Sequence, residues 1–122
     1  MIYNEGMLCK HFKGNNLLEK NIYEILKVNV NGKDIDENLV TYTGDGNLKD
    51  ATNLVVYRNI FQDGKVFARE YDDISSYLSD EKKVEYKQKI KVQPLTEDEI
   101  ELIHQDSFIE EKQALTLKKF RK

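Results

Sequence analysis

Two arginines sit in β-rich company where charge is unusual. Arg58 lies in L-V-V-Y-R-N-I-F, residues 54–61, and Arg69 lies in V-F-A-R-E-Y, residues 66–71. A guanidinium among such neighbours must find an anion, a carboxylate partner or a ring to stack on. Phe61, Phe67, Tyr71 and Tyr77 are close in sequence, so the set could hold a nucleotide, with rings for the base and guanidinium forks for phosphates. Lys27 on a facing strand and Lys13 near the start add possible phosphate partners. The competing reading is an internal bridge from an arginine to Glu24, Glu70 or Asp72.

The other candidates are weaker. His11, in H-F-K-G-N-N, could serve as an acid or base or could face an anion. No nucleophile with an orienting carboxylate accompanies it, so a histidine satisfied by a backbone hydrogen bond is the better expectation. His104 follows I-E-L-I and reads as a boundary residue of a helix. The single Cys9 cannot form an intramolecular disulfide and reads as a small buried thiol. Neither H-E-x-x-H nor C-x-x-C spacing occurs, so no metal and no cofactor is expected. Asp72-Asp73 and Glu97-Asp98 suit solvated or capping roles, and T-G-D-G-N lacks the Lys-Ser/Thr of a phosphate loop.

The elements that must position these residues are strands first and helices later. Met7–Phe12 is a short extended candidate. In Asn21–Val30, alternation puts Ile22, Glu24, Leu26, Val28 and Val30 on an apolar face opposite Tyr23, Ile25, Lys27 and Asn29. Asn31-Gly32 reads as a turn with positive φ, and Leu39–Thr43 as another strand. Leu54–Phe61 and Val66–Tyr71 form a hairpin about Asp63-Gly64, which could bring Arg58 and Arg69 into proximity. In its second arm Val66, Ala68 and Glu70 oppose Phe67, Arg69 and Tyr71. Ser79 can cap a short helix through D-E-K-K-V-E-Y. Gln93-Pro94 interrupts the chain, Thr96 and Glu99 form a capping box, and Ser107 with Glu110 repeats it. The last helix is therefore either two pieces bent near Gln105 or one longer, locally disturbed helix.

The chain has 122 residues, 39% hydrophobic and 34% charged, with a net charge of -3. That length suits one core, and nothing in the total charge suggests electrostatic capture of duplex nucleic acid or anionic membrane, although it says nothing about where the charges lie. No apolar run is long enough to span a bilayer, and the start M-I-Y-N-E-G lacks the features of a signal peptide, so a cytoplasmic protein is expected. The fold class is α+β: a small, strongly bent antiparallel β-sheet or partial barrel followed by C-terminal α-helices. Residues 1–93 form the β-rich part with a short helix near its end. Residues 94–122 form a helical appendage packed on the sheet or on a partner subunit, within one folding unit.

The ordered motifs H-F-K-G-N, I-Y-E-I-L-K-V, N-L-V-V-Y-R-N-I-F, G-K-V-F-A-R-E-Y-D-D-I and Y-L-S-D-E-K-K-V-E-Y-K-Q-K-I, spread over residues 7 to 91, resemble a small bacterial and phage β-domain family with an HFKG-type opening. Among its functional relatives, the chain is similar to the phage Thoeris anti-defence proteins of the first described kind. That resemblance implies a non-enzymatic sponge that sequesters a TIR-produced cyclic ADP-ribose isomer, with cyclic oligonucleotides as a further ligand class. It also implies a homodimer or higher homo-oligomer acting in the cytoplasm of an infected bacterium. Arg58, Arg69 and Tyr77 fall on matching positions of the motifs. R-E-Y replaces the family's R-P step, which puts Tyr71 in doubt, and L-L-E-K-N lengthens the path between H-F-K-G-N and Tyr23, which could move Lys13 away from the site. An alternative is a small β-barrel-like protein-interaction module.

Overall fold

The computed structural model describes residues 2–62 and 65–120. The Asp63-Gly64 turn and the last two cationic residues, Arg121 and Lys122, lie outside the described residues. The strands are β1 (Leu8–His11), β2 (Ile22–Val30), β3 (Thr41–Tyr42), β4 (Leu54–Asn59), β5 (Val66–Glu70) and β6 (Val92–Pro94). They form one open six-stranded sheet in the order β3-β5-β4-β2-β1-β6. The helices are α1 (Tyr71–Ile74), α2 (Asp80–Tyr86), α3 (Glu97–Ile103) and α4 (Asp106–Phe120). The α+β class holds, with one correction: the sheet is mixed rather than purely antiparallel, because β3 runs parallel to β5. It is not closed into a barrel.

The sheet ends later than expected. Gln93-Pro94, read as an interruption, belongs to β6, where Pro94 faces Cys9 across the β1 pairing. A residue without an N–H is tolerated there because β6 is an edge strand. The β-rich part thus runs through Pro94, one residue past the expected boundary.

Strict alternation fails in β2. The pairing with β4 shifts register between Ile25 and Lys27 and again between Lys27 and Val30, and Asn29 adopts φ 53°. These bulges move Val28 to the side of Tyr23 and Ile25, while Leu26 and Val30 stay on the other side. Ile25, assigned by period to the more polar face, is fully buried. The expected positive-φ turn at Asn31-Gly32 is absent: Asn31 has φ -84° and Gly32–Asp34 is a 3-10 turn. Gly32 is needed for a different reason. A Cβ there would meet the Leu48 carbonyl oxygen at 1.7 Å.

Both faces of the sheet are covered, by different parts of the chain. On one face Cys9, Ile25, Val55, Tyr57 and Val92 pack under Tyr3 and Ile74. On the other, Leu54, Val56 and Ala68 lie beneath Ile35 and Leu48, from the loops flanking β3. Further along that second face, Ile22 receives Leu95, Ile103 and Phe108 from the C-terminal region, with Leu8 at its border. The helices therefore pack on the sheet of their own chain. Each fully buried aliphatic side chain in these clusters contributes about 1.5–3 kcal/mol.

The helix caps follow the sequence closely, with one exception. The Ser79 hydroxyl accepts from the Lys82 N–H at 3.3 Å. Thr96 and Glu99 form the reciprocal capping box, and Glu97 and Asp98 occupy that helix's first turn, as read. The C-terminal helix is indeed two pieces, broken at His104 and Gln105, but α4 already begins at Asp106. Ser107 therefore lies inside its first turn and is not a second cap. No described helix is long and apolar enough to cross a membrane.

Candidate functional site

Four strands carry a row of rings across one face of the sheet. His11 on β1 meets Tyr23 on β2 edge-on at 6.4 Å between centroids. Tyr23 meets Tyr57 on β4 at 4.8 Å, and Tyr57 meets Phe67 on β5 at 5.8 Å. The register explains the row: Cys9 pairs with Tyr23, Ile25 with Tyr57 and Tyr57 with Phe67. Alternation then points His11, Tyr23, Tyr57 and Phe67 to one side. His11, Tyr23 and Phe67 are half-buried and Tyr57 is buried, so the row is a firm floor with accessible edges.

Arg69 follows Phe67 on the same face of β5. Its Nε is ion-paired to the Asp73 carboxylate, one turn later in α1. The second Asp73 oxygen accepts from Lys91 Nζ at 2.9 Å. Burial pushes the Asp73 carboxyl up, yet the Lys91 hydrogen bond and the Arg69 charge outweigh it and hold the group below its ordinary range. Asp73 is thus neither a cap nor merely solvated; one carboxylate ties two cations together. That cluster keeps a net positive charge.

Electrostatics around His11 are one-sided. Burial is the largest cause lowering its pKa to about 4, and Lys13, Arg69, Lys20 and Lys91 all lower it further. The four side-chain charges that lower it are all cations. Its Nδ1 accepts from the Lys13 backbone N–H at 3.3 Å, the backbone satisfaction expected from sequence. The phenols respond to the same field. Burial and Tyr57 push Tyr23 up to about 12, while an Asn21 hydrogen bond and Arg69 oppose the rise. Tyr57 is raised by burial and opposed by Thr43 and Arg69.

Apart from Lys13, whose charge acts on His11, the remaining sequence candidates do not gather here. Arg58 pairs with Val66 and Glu24, which places it on the opposite face from Arg69. There its Nε donates to Glu24 Oε1 at 2.7 Å. Glu24 was among the internal partners considered for the arginines; the partner of Arg69, Asp73, was not. Lys27 is exposed between the β2 irregularities, and Lys13 is exposed in the turn after β1. Tyr71 and Tyr77 share a groove of about 590 Å³ with Ile2, Ser75, Ile90 and Pro94, beside the β6 edge. Tyr77 is 76% exposed, with Lys83 Nζ 5.2 Å from its ring centre.

Tyr23, Tyr57 and Lys91 were not singled out from sequence. Tyr57 carried the available signal, since in β4 it has the parity opposite to Arg58 and the hairpin register sets it beside Phe67. Nothing local marks Lys91, which reaches Asp73 only through the fold. Cys9 is the buried thiol expected, pushed up to about 12 by burial. His104 is the exposed C-cap of α3. Among the described residues no group of three or more His, Cys, Asp or Glu side chains could hold a metal ion.

No family model, no curated protein and no solved structure matches this chain.

Proposed function

We propose that this protein is a non-enzymatic binder that sequesters a phosphate-bearing nucleotide messenger, with the ring row as its floor and Arg69 and Lys91 as its anion contacts. The observation that carries the reading is the convergence of Lys13, Arg69, Lys20 and Lys91 on the field at His11, beside half-buried rings, in a chain of net charge -3. Such a place attracts an anion locally while the rest of the surface repels polyanions. Ring faces and edges supply contact area for a base, and a guanidinium fork suits phosphate oxygens. The resemblance in the sequence motifs supports a cyclic ADP-ribose isomer as the messenger and phage interference with Thoeris signalling as the setting. Arg69, His11 and Lys13 remain in the proposed site; Arg58 and Lys27 do not.

Incubation with a cyclic ADP-ribose isomer, removal of unbound ligand, heat release and mass spectrometry tests this directly. Intact ligand in stoichiometric amount is the expected result. Cleavage products, or no retention at any ligand concentration, would sink the proposal.

A second reading, a protein-interaction module, draws on the open groove beside Tyr77. Tyr71, Tyr77 and Ile2 line it at a sheet edge, where a peptide could lie. Recovery of a stoichiometric polypeptide partner, with no nucleotide retained, would favour this reading over the first.

A further inference from the structure

The turn after β1 stands over a cavity of about 420 Å³ whose opposite wall is α4. Two buried lysines hold that turn in place. Lys20 Nζ donates to the Phe12 carbonyl at 2.6 Å and to the Tyr86 carbonyl at 3.1 Å. Lys112 Nζ, from α4, donates to the Leu18 and Lys20 carbonyls. Gly14 completes the bend at φ 115°, where a Cβ would lie 2.9 Å from the Glu19 carbonyl carbon. The walls are consequently fixed before any ligand arrives, which removes an ordering cost from binding.

The chemistry of the lining is sharply divided. Asn21, Asn59 and Gln62 bring carboxamides to it, while Phe61, Leu18 and Leu115 bring apolar surface. Asn59 is 5% exposed, and its amide is locked. Its Oδ1 accepts from the Phe61 N–H at 3.0 Å and its Nδ2 donates to Asn21 Oδ1 at 3.3 Å. Phe61 is itself held between Phe108, 6.3 Å away, and Lys112 Nζ, 5.9 Å from the ring centre. Lys13 and Glu19 at the rim are of opposite charge.

From this arrangement we infer that the cavity is a binding site for a nucleobase-class heterocycle, a flat ring with apolar faces and an edge of mixed donors and acceptors. Carboxamides offer both donors and acceptors in fixed directions and so read such an edge, while Phe61 and the leucines cover its faces. The volume suits a nucleoside. The balanced rim gives no preference for phosphate, so this site recognises the base and not the anion. It adjoins the ring row through Asn59, which pairs with Tyr23, and shares Lys13 with the anion site proposed above, yet it recognises a phosphate-free ring.

The test uses phosphate-free probes: adenosine, guanosine, cytidine and uridine, each titrated into the full chain, with ribose alone as the control. Expected is saturable binding of at least one nucleoside that shifts the side-chain amide NMR signals of Asn21, Asn59 and Gln62, and is weakened about tenfold or more in Gln62→Ala or Phe61→Leu. Gln62 is half-buried and its hydrogen bond to the Asn59 carbonyl is made by its backbone, so Gln62→Ala leaves that bond in place, whereas an Asn59 variant would also break the side-chain bonds to Phe61 and Asn21. The inference is overturned by absence of amide shifts up to the solubility limit of all four nucleosides. Equal binding of ribose, shifts confined to the Tyr71 and Tyr77 groove, or unchanged affinity in both variants would overturn it as well. Loss of messenger retention with nucleoside binding intact counts against the anion site alone, so the two proposals fail separately.

Discussion

Arg58 and Arg69 project from opposite faces of one β-hairpin. Arg58 sits across from Val66, and Arg69 sits across from Val55, so alternation along β4 and β5 separates them by the thickness of the sheet. Each has its own carboxylate, Glu24 for one and Asp73 for the other. One ligand lying on the ring row can reach only Arg69. In a retention or calorimetric assay with a cyclic ADP-ribose isomer, Arg69→Ala should weaken binding by about tenfold or more, the worth of a hydrogen bond to a charged group. Arg58→Ala should leave affinity unchanged and cost under about 1 kcal/mol of stability, because its ion pair is largely exposed. Equal losses in the two variants would contradict the placement of the site.

The pH behaviour of His11 gives a second prediction. Its pKa is lowered in the folded chain, to about 4, by burial first and then by the surrounding cations. The unfolded chain binds a proton near pH 6.5. Between these values the unfolded state holds more protons, so stability is fully present above about pH 6.5 and declines as pH falls towards 4. Urea denaturation across that window should show the decline, and His11→Gln should flatten it. An anion bound beside the imidazole reverses its electrostatic environment and raises its pKa. Ligand binding should therefore take up a proton and tighten as pH falls from 7 to 5. Proton release on binding, seen by calorimetry in two buffers, would rule out an anion at this position.

The bulged strand explains what could and could not be read from sequence. Strands β1, β2, β4 and β5 were legible because alternating apolar residues run unbroken between turn residues, and Thr96 with Glu99 gave the start of α3. Period-2 reading assumes that no residue is inserted, so it sent Val28 to the wrong side; Ile25 was on its correct side, but that side is as deeply buried as the other. Strand β3 was read within Leu39–Thr43 but is only two residues long, and the three-residue β6 has no pattern of its own and exists through pairing with β1. The ring row was only partly legible, since it needs the register of four strands at once. Ile25→Ala should consequently cost about 2–5 kcal/mol in urea denaturation, the range for truncating a buried aliphatic side chain. Lys27→Ala, exposed between the irregularities, should be near neutral. A small cost at Ile25 would contradict its place in the core under Tyr3 and Ile74.

Lys112 supports the last prediction. It is 6% exposed on a helix rich in charged residues. Its ammonium lies 5.9 Å from the centre of the Phe61 ring and reaches back to the Leu18 and Lys20 carbonyls. Lys112→Met keeps the length and apolar bulk of the stem but removes the donors. Two carbonyls then lose a charged partner, at about 1–3 kcal/mol for each group left unsatisfied. The variant should unfold at lower urea concentration than wild type, whereas Lys118→Met, exposed on the same helix, should not. The turn above the cavity loses one of its two anchors, so amide hydrogen exchange should accelerate across residues 13–20 and spare the ring row on β4 and β5. Exchange that rises uniformly over the whole sheet would show that Lys112 stabilises the fold globally and does not specifically fix the turn.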